Sequence, residues 1–196
     1  MKMRLKSKWV ILLGILGVVC GLALLAFMQI SINSAAKRSA EIIAQTEKIL
    51  TEKTVGATNE FSFVQMPAMH INGDDIIGVI QFESLGVSLP IGDKWEKNRI
   101  SYPKRFSGSV YDNSLIVGGY YCKGQFDCLS RLDIGNRVTV TDMSGAQFSY
   151  EITDIKRKKS ADADSLNGSS SHLTLFARNS KSLEYIIVSG VNVNGD

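Results

Sequence analysis

The chain carries three cysteines, Cys20, Cys122 and Cys128, and two histidines, His70 and His172. A thiol beside an imidazole could supply the thiolate for acyl transfer. Closely spaced, the same residue types could hold zinc. Their spacing here favours neither. His172 opens the run LTLFAR, which reads as a strand, and six residues at about 3.3 Å each put it roughly 20 Å from Arg178 at the strand's far end. His70 falls in a polar stretch and reads as solvated. Cys122 and Cys128 leave two alternatives open, a small disulfide loop or two free thiols. Asp162 and Asp164 in SADADSLNG could contact a cation such as Ca2+, but two carboxylates make a thin site, and a solvated loop is the expectation. Neither a metal nor another cofactor is expected.

The elements that would position these groups fall into two parts. Residues 9–30, WVILLGILGVVCGLALLAFMQI, hold no charge. As a helix rising about 1.5 Å per residue, such a run spans the roughly 30 Å hydrocarbon core of a bilayer. The flank MKMRLKSK is basic, so the positive-inside rule keeps residues 1–8 in the cytoplasm and sends the C-terminal part outside. Cys20 then reads as an apolar residue in lipid, since Val19 is not the small residue a lipoprotein box needs. A cleaved signal peptide, cut near Ser34-Ala35-Ala36, is the rival reading, but its apolar core would be shorter.

Net charge is +3, from 22 basic and 19 acidic residues. Lys2, Arg4, Lys6 and Lys8 belong to the tip, which leaves 18 basic against 19 acidic residues for the rest. The outer part therefore lacks the basic surplus expected of a nucleic-acid binder, and that class is set aside.

Residues 35–53 place Ala36, Ile42, Ile43, Ile49 and Leu50 at helical spacing, so an amphipathic helix is expected to leave the membrane. Residues 54–75 read as a linker. From residue 76 the pattern changes to short strands: IIGVIQF (76–82), VSLPI (87–91), SLIVGGYY (114–121), RVTVTD (137–142), FSYEITDI (148–155), LTLFAR (173–178) and LEYIIVSGV (183–191). FDCLSRL (126–132) is the one expected short helix. So many strands with few helices predict a mainly β fold, a closed barrel or a sandwich, over residues 76–196.

The order of these segments resembles the sortases, membrane-anchored cysteine transpeptidases of Gram-positive bacteria. IGVIQFESLGVSLPI is similar to the family's opening hairpin. YPKRFSGSVYDNSLIVGG is similar to the run before its catalytic histidine. LTLFARN resembles the strand that ends in the nucleophile, and SLEYIIVSG the last strand, which carries an arginine. The resemblance implies an eight-stranded sortase barrel with short helices, and surface-protein anchoring or pilus building at the cell wall.

It also implies where the catalytic groups should stand. The histidine position falls on Gly119, the cysteine on Arg178 and the arginine near Tyr185. None of the three can take its counterpart's role: glycine has no side chain, and guanidinium is neither a nucleophile nor deprotonable. The resemblance therefore implies a non-catalytic relative that keeps a peptide groove, with Tyr120, Tyr121, Cys122, Arg178 and Tyr185 as candidate groove residues. Its implied partners are sorting-signal peptides, pilins or an active sortase. Two alternatives stay open, an enzyme with chemistry relocated to Cys122 and a purely structural ectodomain.

Overall fold

The computed structural model describes residues 3–54, 65–96, 101–159, 166, 171–179 and 182–193; within the long helix, side chains are described for residues 14–24 and 36–51. The chain divides into two units, 1–34 and 35–196.

Helix α1 runs Met3–Thr54. In the first unit, every described side chain from Gly14 to Leu24 is exposed. Among them Ile15, Leu16, Val18, Val19, Leu22 and Leu24 are large and apolar. The expected membrane span, 9–30, lies within this helix, but part of it falls outside the described side chains. Among the described residues no helix is long and apolar enough to cross a membrane.

In the second unit, nine strands follow: β1 (Met69–Ile71), β2 (Asp74–Phe82), β3 (Val87–Gly92), β4 (Lys104–Ser107), β5 (Leu115–Tyr120), β6 (Arg137–Asp142), β7 (Gln147–Lys158), β8 (Leu173–Arg178) and β9 (Tyr185–Asn192). They pair in the order β1-β2-β3-β4-β5-β8-β9-β7-β6, and β6 pairs back onto β2. That last pairing closes eight strands into a ring and leaves β1 outside it, which removes the edges an open sheet would expose. Two pairings in the ring are parallel, β3 with β4 and β5 with β8. The interior is filled from every strand of the ring except β4, by residues including Ile80, Phe82, Leu89, Val117, Val140, Tyr150, Leu175 and Val188. Phe126 enters it from a short 3-10 turn at Phe126–Arg131 and meets Phe82 edge-on, with centroids 6.2 Å apart.

The structure departs from the sequence expectation in three places. Residues 69–75 are not linker: β1 turns into β2 through Asn72 and Gly73, both at positive φ. An Asn-Gly pair favours the tight turn that matches strand twist. The rest of the expected linker, 55–64, lies outside the described residues. Strand β4 is short and polar in sequence, KRFS, and is held by pairing with Gly118 and Val117 of β5. The expected helix at 126–132 is a 3-10 turn instead.

The second half of α1 packs on the barrel through a stripe that differs from the expected one. Ser39, Ile42 and Thr46 are buried and Ile49 is half-buried. Ile42 joins Ile71, Ile76, Tyr102 and Met143 in a separate small core. Of the two polar members, Thr46 donates through Oγ1 to the carbonyl of Ile42 at 2.7 Å. Near the helix end of this contact, Gly124 sits at φ +81°, and a Cβ there would come 2.7 Å from the Cα of Ala36. Replacing Gly124 by alanine is expected to cost about 2 kcal/mol, from the left-handed backbone and the overlap with Ala36. Chemical denaturation of the full chain would show it as a lower midpoint at unchanged slope.

Candidate functional site

Strands β5, β8 and β9 lie side by side and end together. Their register sets Tyr120 opposite Arg178 and Arg178 opposite Tyr185. Directly opposed residues share a face, so the three side chains form one row at the mouth of the sheet. Arg178 is exposed. Its guanidinium carbon stands 6.0 Å from the Tyr185 ring centroid, an exposed cation–π contact worth about 0.5–1 kcal/mol. Among the described residues Arg178 has no carboxylate partner. The row can therefore offer a bidentate cation between two aromatic surfaces.

The neighbouring row faces the other way. Gly119 is opposite Ala177, and Ala177 opposite Ile186. Ala177 and Ile186 are in the barrel core. A Cβ on Gly119 would lie 2.9 Å from Cδ2 of Phe126. Gly119, where the resemblance would place a histidine, thus points inward, where an imidazole has no room unless Phe126 moves.

Behind the tyrosine–arginine row, the outer face of β5 and β8 is aromatic. Trp95, Phe106 and Phe176 pack in a triangle with centroid separations of 5.5–6.0 Å. Ile116, Leu166, Ile187 and Tyr185 join them. Gly118 is what lets the rings lie flat on the sheet, since a Cβ there would come 2.5 Å from both Phe176 Cζ and Trp95 Cζ3. Of these floor residues only Tyr185 was singled out from the sequence. The Gly118-Gly119 doublet inside a β-rich run was the signal, because a glycine in a strand marks close approach.

Beyond the strand ends, the loop after β5 borders a cavity of about 450 Å³, lined by Tyr121, Cys122, Lys123, Asp127, Ser130, Arg131 and Asn179. Three bonds hold it. Tyr121 N donates to the carbonyl of Arg178 at 3.1 Å. Tyr120 N donates to Gln125 Oε1 at 2.9 Å. The hydroxyls of Tyr121 and Ser130 are 2.9 Å apart. So Tyr121 and Cys122 adjoin the row but open onto a different space.

Of the two alternatives for Cys122 and Cys128, the structure has the free thiols. Burial, then the nearby Asp127 carboxylate, raises the pKa of Cys122. Burial first, then Asp127, pushes Cys128 up to about 12. Both effects oppose thiolate formation, the reverse of what a nucleophile needs. Among the described residues no imidazole lines this cavity. His70 lies in β1, 2.9 Å from Asp75. His172 Nδ1 accepts from Asn192 N at 3.0 Å. Among the described residues no three His, Cys, Asp or Glu side chains are grouped to hold a metal. Asp162 and Asp164 lie outside the described residues.

The fold is the sortase fold. The chain is similar in structure to sortase C1 from Streptococcus agalactiae, with a TM-score of 0.56 and 17% identity over 80% of this chain and 90% of that one. It is similar to a sortase D5 transpeptidase from Clostridium perfringens, with a TM-score of 0.53 and 18% identity over 82% of this chain and 99% of that one. A lid mutant of sortase A from Corynebacterium diphtheriae matches with a TM-score of 0.52 and 13% identity, covering 78% of this chain and 96% of the other. No family model matches the sequence, and no curated protein does either.

The Cys122 environment makes a chemical prediction. A raised pKa leaves less thiolate at any pH below it, so alkylation by iodoacetamide at pH 8 should lag that of an unhindered cysteine. Asp127→Asn should quicken it. Equal rates for wild type and a free thiol, followed by mass spectrometry, would contradict the placement of Asp127.

Proposed function

We propose that this is a membrane-anchored, extracytoplasmic sortase-like protein that binds a peptide or protein partner without catalysing transpeptidation, in surface-protein anchoring or pilus assembly. The observation that carries this reading is Arg178. It occupies the strand end where the resemblance expects a nucleophile, between Tyr120 and Tyr185 and with no carboxylate partner among the described residues. A partner carboxylate would meet it bidentately, and the two rings would pack against the partner's backbone or apolar side chains. Acyl transfer has no support from the groups nearby, since burial and Asp127 raise the pKa of the half-buried Cys122 thiol and, among the described residues, no imidazole lines its cavity. Membrane anchoring is supported by the uncharged run 9–30 behind a basic flank, whose described part is exposed apolar helix.

The test uses the full chain in detergent with a sorting-signal peptide and an amine acceptor. No ligated product is expected, with or without Cys122→Ala. Product that disappears in Cys122→Ala would overturn the non-catalytic reading. In a fluorescence titration with the same peptide, Arg178→Ala should weaken binding about tenfold, as loss of a charge-assisted contact does. Unchanged affinity would remove Arg178 from the ligand site.

A further inference from the structure

A second cavity, of about 510 Å³, lies away from the tyrosine–arginine row, against the start of the packed part of α1. Its walls come from Arg38 of the helix, from Gly73, Asp74 and Asp75 at the β1–β2 turn, from Asp93, Lys94 and Glu96 after β3, and from Ser101, Tyr102 and Lys104 leading into β4. Most of its charges already have partners. Arg38 donates to Asp74 at 2.7 Å. Arg105 binds Asp93 through both its side-chain carboxylate and its carbonyl. Asp75 meets His70. Lys94 and Glu96 stand at the exposed rim.

Two polar groups of this wall do not follow that pattern. Lys104 is 8% exposed, yet among the described residues it has no carboxylate or hydrogen-bond partner; its ammonium sits 5.6 Å from the ring centroid of Tyr102. The Tyr102 hydroxyl is fully buried and makes no hydrogen bond of ordinary geometry, although the Asp74 carboxylate acts on it and is the acceptor an incoming anion would replace. A buried hydroxyl loses hydration on folding and needs a replacement partner, and an unpaired cation at the end of a largely buried side chain favours an incoming counter-charge. Both belong to the same cavity wall. Gly92 makes room for the pair: a Cβ there would lie 2.9 Å from Tyr102 Cε2 and 3.0 Å from Lys104 Cγ.

We propose that this cavity binds a small anion bearing a carboxylate or a phosphoryl group, with the Lys104 ammonium as its counter-charge and the Tyr102 hydroxyl as a neutral donor. Lys104 is the largely buried lysine of the wall that, among the described residues, no acid pairs with. The Arg38–Asp74 and Arg105–Asp93 pairs offset two of the four carboxylates that line the cavity; of the others, Asp75 lies beside His70 and Glu96 stands at the exposed rim. The site is independent of the peptide-binding reading and stands or falls on different residues.

The experiment is isothermal titration of the full chain in detergent with sodium phosphate and with sodium acetate, chloride holding the ionic strength constant. Saturable binding of at least one, in the millimolar range or tighter, is expected. Preference for phosphate assigns the phosphoryl group and preference for acetate the carboxylate. Lys104→Met should weaken binding at least about tenfold, Tyr102→Phe about threefold, and Lys104→Arg far less than Lys104→Met. In the unmodified protein, the anion that binds should also slow acylation of Lys104 by an amine-reactive ester, read by mass spectrometry. No saturable binding of either anion overturns the proposal. So does wild-type affinity in Lys104→Met or in Tyr102→Phe, or acylation of Lys104 that the bound anion leaves unchanged.

Discussion

Strand β5 lies parallel to β8 over six residue pairs, from Leu115 with Leu173 to Tyr120 with Arg178. These segments are far apart in sequence, so their pairing costs chain entropy that only the buried core can offset. Val117, Leu175 and Ala177, all from this pair, are part of that core. The same register brings Arg178 between two tyrosines, seats the aromatic triangle on Gly118, and anchors the loop after β5 through the bond from Tyr121 to Arg178. Without it the barrel would lose its closure and the site its row of side chains.

Strand alternation then decides what chemistry the site offers. One residue along β5 separates Gly119, which faces Phe126 in the core, from Tyr120, which shares a face with Arg178. A side-chain period of two leaves no intermediate orientation. The outward row is cationic and aromatic. The thiol three residues beyond Gly119 sits over a separate cavity with a carboxylate nearby. Recognition chemistry and acyl-transfer chemistry need opposite surroundings: the first uses a stable exposed cation, the second a thiol whose proton leaves easily. Around Arg178 the surroundings are of the first kind, and the raised pKa of Cys122 departs from the second.

Much of the architecture was legible in order and spacing. The alternating runs at 76–82, 137–142 and 173–178 are strands, and the ring holds eight of them as the resemblance implied. Where legibility failed, the stabilising partner was distant. Strand β4 carries little β signal in its four residues and exists because β5 offers it a register. The buried stripe of α1 includes Ser39 and Thr46, which no hydropathy pattern would select; the Thr46 hydroxyl is satisfied by the Ile42 carbonyl of its own helix. The Asn72-Gly73 turn, by contrast, is a local signal that was present and outweighed by the polar residues around it.

The sequence by itself determined the apolar run at 9–30, the outer β domain, and the residue types, glycine and arginine, that stand near the ends of the runs at 114–121 and 173–178. These follow from local composition and period, which need no partner to be read. Only the tertiary structure decided that Tyr120 and Tyr185 flank Arg178, that Trp95, Phe106 and Phe176 gather on Gly118, and that Lys104 and Tyr102 share one cavity wall. Each joins residues from different elements. Their meeting depends on strand register and barrel closure, which are properties of the whole packed chain.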